Sequence, residues 1–208
     1  MNEIDLIKAL LAYLLIALGS ALTIKAALGV GSFMALTVAL SDLSGFSVGT
    51  LLILLEIFFF VFCLVLDPNA RLREYILMLI AVCFSGVTTD LALAVILKDL
   101  VLDSYILRLL SFFSGLFLLG FGNGRVLHYG ILTFPLEKWC LLMATKTCYT
   151  FKTYRYGIDV FCICSALLLT WAYSSPVVIR EGTVISILCL AGIITWSSQL
   201  YSITERRS

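Results

Sequence analysis

Charged residues are scarce in this chain, and it contains a single histidine. Of the 208 residues, 13% are charged and the net charge is +1, whereas a typical soluble domain has about 25% charged residues. The small charge, without any basic stripe, excludes a surface built for nucleic-acid binding. His128 is the only histidine, which excludes a metal site made from several histidines.

Paired cysteine motifs are also missing, although the chain has seven cysteines. None of them shows the Cys-x-x-Cys spacing of a zinc site, and the pattern does not indicate a disulfide framework. Most lie inside apolar runs, where a cysteine is usually a small buried hydrophobic residue. The sequence therefore predicts no metal and no cofactor.

Apolar residues are present in large excess. They make up 62% of the chain, against about 45–50% in soluble domains, and the mean hydropathy is +1.09. The first apolar run, 6–24, is longer than the apolar core of a signal peptide and is interpreted as an uncleaved membrane span. We predict an all-α membrane protein, a single integral membrane domain over residues 1–208, with the lipid bilayer as its surroundings.

Six apolar segments are long enough to cross a bilayer, because a crossing needs about 20 helical residues. Two shorter apolar pieces are predicted as re-entrant or half-span helices, although full crossing by both is the alternative. With six crossings and the N-terminus inside, most of the basic residues fall on the inner side, as the positive-inside rule requires. The predicted spans are 6–24, 48–66, 75–97, 105–122, 157–173 and 182–201, and the short pieces are 33–43 and 134–144.

The order long, short, long, long occurs twice along the chain. The predicted halves, 6–97 and 105–201, can be aligned with few identities at a shift of about 100 residues. In this alignment Gly29 falls on Gly130, Ser32 falls on Pro135, and Glu56 falls on Asp159. Internal repeats of this kind underlie many transporter folds, so we predict two related halves.

The stretch 27–50 interrupts the apolar pattern with closely spaced glycines. Irregular backbone at membrane depth survives only inside protein or along a water-filled cavity, so a broken apolar segment indicates a solute site. Free N–H groups at the start of the following helix would form an anion site, although a tight turn explains the glycines equally well. The candidate residues for this backbone site are Gly29, Gly31, Ser32, Gly130 and Pro135.

Glu56 lies near the middle of the span 48–66, among leucines and phenylalanines. A charged side chain at that depth costs several kcal/mol and is by default a functional candidate. Burial disfavours the charged form of a carboxyl group, so Glu56 is a candidate for proton uptake and release. The alternative is a protonated side chain that hydrogen-bonds a neighbouring helix.

Three further acidic residues are candidates for the same solute or proton pathway. Asp159 lies one helical turn after Arg155, so an ion pair within the helix is the structural alternative. Asp90 gives its span a polar side, which fits either a cavity wall or a contact between helices. Glu137 follows Pro135 in the second short piece, where we expect a position at the membrane interface.

Several motifs resemble those of a known family. The segment Leu28-Gly29-Val30-Gly31-Ser32, with Leu36, resembles the Leu-Gly-x-Gly-Pro-x-Asp-x-Leu signature of the YczE-like and YitT-like bacterial membrane proteins. Ser32 and Met34 stand where that signature has Pro and Asp, and Glu137 is a candidate to supply the missing carboxylate. The segments 47–50, 157–159 and 181–183 are similar to later positions of the family. The resemblance implies a protein of the bacterial cytoplasmic membrane, and the charge bias predicts cytoplasmic N- and C-termini.

The combined observations favour a transporter or exporter of an unknown small solute, with proton coupling as an option. The alternative is a structural or regulatory membrane protein that acts through protein partners, and assembly of several copies is left open. A lipid-active enzyme is disfavoured, since the sequence has no Asp-rich metal motif and no nucleophile with a base. A continuous polar cavity between Glu56 and the glycine stretch would favour transport, whereas a lack of charged cavity residues would favour the structural role.

Overall fold

In the residues that the computed structural model describes, all regular secondary structure is helical, as predicted. The structure describes residues 3–68, 71–129, 134–173 and 179–205. A five-residue π-helical turn, Ala92–Ile96, continues the fourth α-helix. The α-helices in these ranges are α1 (Glu3–Ala26), α2 (Ser32–Ser44), α3 (Val48–Leu66), α4 (Leu72–Leu91), α5 (Tyr105–Tyr129), α6 (Pro135–Lys146), α7 (Phe151–Tyr173) and α8 (Glu181–Glu205).

Five of the described helical segments are long and apolar enough to cross a membrane. They correspond to the first five predicted spans, and within α8 the apolar stretch Glu181–Ser197 is shorter, so a sixth crossing stays a prediction. The helices α2 and α6 have 13 and 12 residues. At about 1.5 Å per residue they are shorter than the hydrocarbon core of about 30 Å. The five segments are Ile7–Ala26, Val48–Leu66, Leu72–Ile96, Tyr105–Val126 and Phe151–Tyr173.

Long helices form the frame of the bundle. Helix α1 packs along α5, α5 packs along α8, and α1 also contacts α4. Close approach of α1 and α5 depends on small residues, since a Cβ atom at Gly19 would lie 2.6 Å from the carbonyl oxygen of Gly115. Packing of this kind, through small residues, is typical of membrane helices, because lipid supplies no hydrophobic force between helices.

The two short helices connect the two predicted halves. Helix α2 packs against α7 from the second half, and α6 packs against α3 from the first half. Helix α6 begins at Pro135, a favourable first residue because the proline has no N–H to leave unpaired. These contacts bring the N-terminal ends of α2 and α6 into the centre of the bundle, where both line one cavity.

Candidate functional site

A cavity of about 420 Å³ lies in the centre of the bundle and receives side chains from each of the eight α-helices described above. Its volume falls in the range of about 300–1,000 Å³ that is usual for small-molecule sites. Three acidic and two basic residues line it: Glu56, Glu137, Asp159, Lys152 and Arg155. The cavity thus combines a mostly apolar wall with a small group of charged side chains.

Glu56 is the most deeply buried of these charged residues, with 4% of its surface exposed. The backbone N–H of Leu136 donates a hydrogen bond to Glu56 Oε2 at 3.2 Å. Leu136 lies in the first turn of α6, where N–H groups have no partner within the helix and the helix dipole is positive. Glu56 Oε1 has no hydrogen-bond partner among the described residues. One oxygen is therefore fixed by α6 while the other stays available.

Arg155 holds the other two carboxylates together. Its Nη1 atom lies 3.4 Å from Glu137 Oε1, and its Nε atom lies 3.7 Å from Asp159 Oδ2. Ser32 Oγ, at the start of α2, donates a hydrogen bond to Asp159 Oδ1. Glu137 Oε2 is buried and has no hydrogen-bond partner within the described ranges. The Arg155 guanidinium is thus shared between two carboxylates. Among the described residues, no ion pair joins Arg155 to Glu56.

The structure brings together five of the nine predicted site residues. Glu56, Glu137, Asp159, Gly31 and Ser32 all line the cavity. The expected ion pair between Arg155 and Asp159 is present as well. Asp159 therefore both makes a structural contact and lines the cavity. At the start of α2 the Ser32 hydroxyl contacts the Asp159 carboxylate, and at the start of α6 the Leu136 N–H contacts Glu56. The predicted anion site at the backbone N–H groups of α2 stays a prediction.

Glu137 was expected at the membrane interface, and the structure shows that its side chain lines the central cavity. The reason is the packing of α6 against α3 and α7, which turns the first turn of α6 inward. The depth of Glu137 in the membrane stays a prediction. The adjacent Lys138 points to another face, where its Nζ atom lies 3.5 Å from Glu74 Oε2 on α4.

Asp90, Gly29 and Pro135 lie outside the cavity lining. Gly29 has a φ of 117°, and a Cβ atom there would lie 2.7 Å from the backbone nitrogen of Thr183, so this glycine permits a close turn against α8. Pro135 is buried at the start of α6. Gly130, the remaining predicted residue, lies outside the described residues.

Asp90 connects α4 to the start of α3. It accepts hydrogen bonds from the backbone N–H of Gly49 at 2.7 Å and from Ser47 Oγ at 2.5 Å. Of its two predicted roles, the contact between helices is the one that the geometry matches. The bond from Gly49 satisfies a free N–H group at a helix N-terminus, which is a structural task.

Sequence reasoning did not identify Arg155 as the link between Glu137 and Asp159. The spacing of four residues indicated the Asp159 contact, but the Glu137 contact joins two helices and has no signal in the local sequence. Lys152, Asn123 and Ser186 were also missed as lining residues. An aromatic groove of about 540 Å³ lies on the other side of Phe33, and the described residues that line it are all uncharged.

Comparisons with known proteins place the chain in a family without assigning its activity. Residues 5–199 match the model of a family of unknown function, DUF6198. The uncharacterised protein YyaS of Bacillus subtilis (strain 168) is 28% identical over 184 residues, which cover 87% of this chain and 85% of that protein. No solved structure matches. Neither match names the YczE-like or YitT-like proteins, so that resemblance stays a prediction. Since the match covers nearly the whole sequence, the chain belongs to the DUF6198 family of unknown function.

Proposed function

We propose that this protein moves a small solute across a membrane and that Glu56 takes up and releases a proton during transport. The observation that carries the proposal is the carboxyl group of Glu56, buried in the middle of a span yet lining a cavity of about 420 Å³. The same cavity extends to Gly31 and Ser32 in the glycine stretch. A continuous cavity of this kind favours transport over a purely structural role.

Glu56 must be protonated, paired or hydrated, because an isolated charge at that depth costs several kcal/mol. Arg155 pairs with Glu137 and Asp159, which leaves Glu56 with the Leu136 N–H as its hydrogen-bond partner. This N–H can donate to the carboxylate or to the carbonyl oxygen of the protonated acid. Both protonation states therefore fit the same geometry.

Titratable groups on three neighbouring helices set the balance between the protonated and the charged form of Glu56. The charges of Glu137 and Arg155 act on Glu56 in opposite directions. Helices α2 and α4 contribute hydroxyl groups to the cavity, from Ser32 and Thr89. The titratable and charged residues around Glu56 are Tyr13 on α1, Glu137 on α6, and Lys152, Arg155 and Asp159 on α7.

The two predicted halves would move against each other around this cavity, as in transporters built from repeats. Support comes from the order of long and short helices, which is the same in 3–96 and 105–205. Each short helix packs against a long helix of the other half. A shift between the halves would therefore change the surroundings of Glu56 and Asp159 together.

The predicted location is the bacterial cytoplasmic membrane, with both termini in the cytoplasm. Cys148, in the connection between α6 and α7, is exposed and belongs to the predicted inner side. Val101 is 70% exposed and belongs to the predicted outer side. In single-cysteine variants on intact cells, an impermeant thiol reagent should label Val101→Cys and should label Cys148 only after permeabilisation. The reverse pattern would overturn the orientation.

The transport proposal is tested with Glu56→Gln, which keeps the shape of the side chain and removes its titration. Wild-type and variant proteins are placed in liposomes that contain a pH-sensitive dye, and a panel of amines, amino acids and sugars is added under a proton gradient. We expect a solute that drives proton movement through the wild type, with a loss of about tenfold or more in Glu56→Gln.

Asp42→Asn is the matched control, because Asp42 is exposed near the end of α2 and its change also converts a carboxylate into an amide. This control should transport like the wild type. Wild-type proton movement through correctly inserted Glu56→Gln would show that proton coupling at Glu56 is wrong.

A further inference from the structure

Two carboxylate oxygens in the central cavity have no hydrogen-bond partner among the described residues. They are Glu56 Oε1, on a side chain that is almost fully buried, and Glu137 Oε2, which is itself buried. A buried polar atom without a partner is costly and calls for an explanation. A bound group that donates hydrogen bonds or carries positive charge would satisfy both oxygens.

The arrangement of charge in the cavity favours a cation over an anion, and of its two basic residues Lys152 is exposed. The Arg155 guanidinium is shared by Glu137 and Asp159, and three acidic residues stand against two basic ones in the lining. At the start of α6 the Leu136 N–H, a group of the kind that binds anions at helix N-termini, already donates to Glu56, and at the start of α2 the Ser32 hydroxyl donates to Asp159. A negatively charged solute would meet the unpartnered carboxylate oxygens.

The rest of the wall is largely apolar. Its uncharged polar groups include Ser20, Thr23 and Asn123. A small inorganic cation would leave the apolar part of this volume without contacts, whereas an apolar body would fill it. The apolar lining includes Ile16, Leu116, Leu119, Ile187, Leu190 and Ile194.

We propose that the cavity binds an organic cation with an apolar body, with its positive charge at Glu56 and Glu137. This inference rests on the proposed function and names its substrate class. The cation and a proton compete for the same carboxyl group, so binding of the cation releases the proton from Glu56 and protonation releases the cation. Exchange of the cation for the proton at Glu56 couples cation transport to proton transport without any covalent step.

The test uses two probes of the same shape and opposite charge, tetraphenylphosphonium and tetraphenylborate. Binding of each to the purified full-length protein is measured by equilibrium dialysis at about pH 8 and about pH 6. We expect the phosphonium to bind about tenfold or more tightly than the borate, because only a cation is attracted by the carboxylates. Its affinity should fall at the lower pH.

Glu56→Gln should weaken phosphonium binding about tenfold and abolish the pH effect, while Asp42→Asn should bind like the wild type. Glu137→Gln is the second variant, and it should also weaken phosphonium binding. It provides the test if Glu56→Gln does not fold. Equal binding of both probes, or phosphonium binding unchanged in the folded variants, would overturn the inference.

The inference and the transport proposal can fail separately. Proton-coupled movement of another solute through Glu56, together with equal binding of both probes, would leave the transport proposal standing and refute the cation site. Phosphonium binding that depends on Glu56, without any transport in liposomes, would support the cation site and refute transport.

Discussion

Two serine–aspartate contacts in this molecule have the same chemistry and different surroundings. Ser47 donates a hydrogen bond to Asp90 where α3 begins beside α4. Ser32 donates a hydrogen bond to Asp159 where α2 begins beside α7. In each case a serine at the start of a helix contacts an aspartate on a neighbouring long helix, and of the two described pairs only the second lines the central cavity.

The space around each pair explains the difference. Gly49 and Gly86 bring α3 and α4 so close that a Cβ atom at Gly49 would lie 2.1 Å from the carbonyl oxygen of Gly86. Ser32 and Asp159 instead line the central cavity, together with residues from the other α-helices. The first pair therefore fixes a packed contact, whereas the second pair can contribute to binding.

The largest effect on stability is expected at the packed contact. Gly49→Ala places a Cβ atom against the backbone of α4, so it should lower the free energy of unfolding by about 1–3 kcal/mol. Gly157→Ala on α7 is the matched control, because a Cβ atom there meets nothing within 4 Å. It should be neutral or raise stability by up to about 1 kcal/mol.

Thermal unfolding of both variants in one detergent gives this comparison. Similar stability of Gly49→Ala and the wild type would show that α3 and α4 are not closely packed in the protein. The distinction between a closed and an open region would then lose its basis.

Substitution of the two serines is expected to have smaller effects, on stability for Ser47 and on phosphonium affinity for Ser32. Ser47→Ala removes the helix cap, whose oxygen accepts from the Thr50 N–H at 3.2 Å, and the bond to Asp90. It should lower stability by about 1 kcal/mol without changing phosphonium binding. Ser32→Ala should change the affinity for phosphonium, because it removes a hydrogen bond from Asp159 beside the cavity.

Binding and unfolding measured on both variants would sharpen the comparison. If Ser47→Ala altered phosphonium affinity as strongly as Ser32→Ala, the two contacts would not have separate roles. Both contacts would then act on one conformational equilibrium.

Much of the architecture could be predicted from residue order alone. Apolar runs gave the first five spans, because a membrane helix must carry about 20 apolar residues, and glycines with a proline marked the short helices. Glu56 stood out because a lone carboxyl among leucines and phenylalanines is costly. Such signals are local, so they can be recognised without knowing which helices are neighbours.

The roles of the other acidic residues could not be predicted in the same way. Asp90 and Asp159 both looked like charges in spans, and only the packing of α3 on α4 and of α2 on α7 separates them. Glu137 on α6 contacts Arg155 on the neighbouring helix α7. Contacts of this kind depend on helix rotation and crossing, and the apolar pattern constrains these weakly because lipid-facing and protein-facing residues are both apolar.

The central claim is that Glu56 changes protonation inside the cavity, and infrared spectroscopy of the purified protein tests it most directly. As the pH is raised, the wild type should lose a carbonyl band of a protonated carboxylic acid. Glu56→Gln should lack the component that disappears, whereas Asp90→Asn should keep it, since Asp90 accepts two hydrogen bonds outside the cavity. A band that disappears equally in wild type and Glu56→Gln would contradict the account.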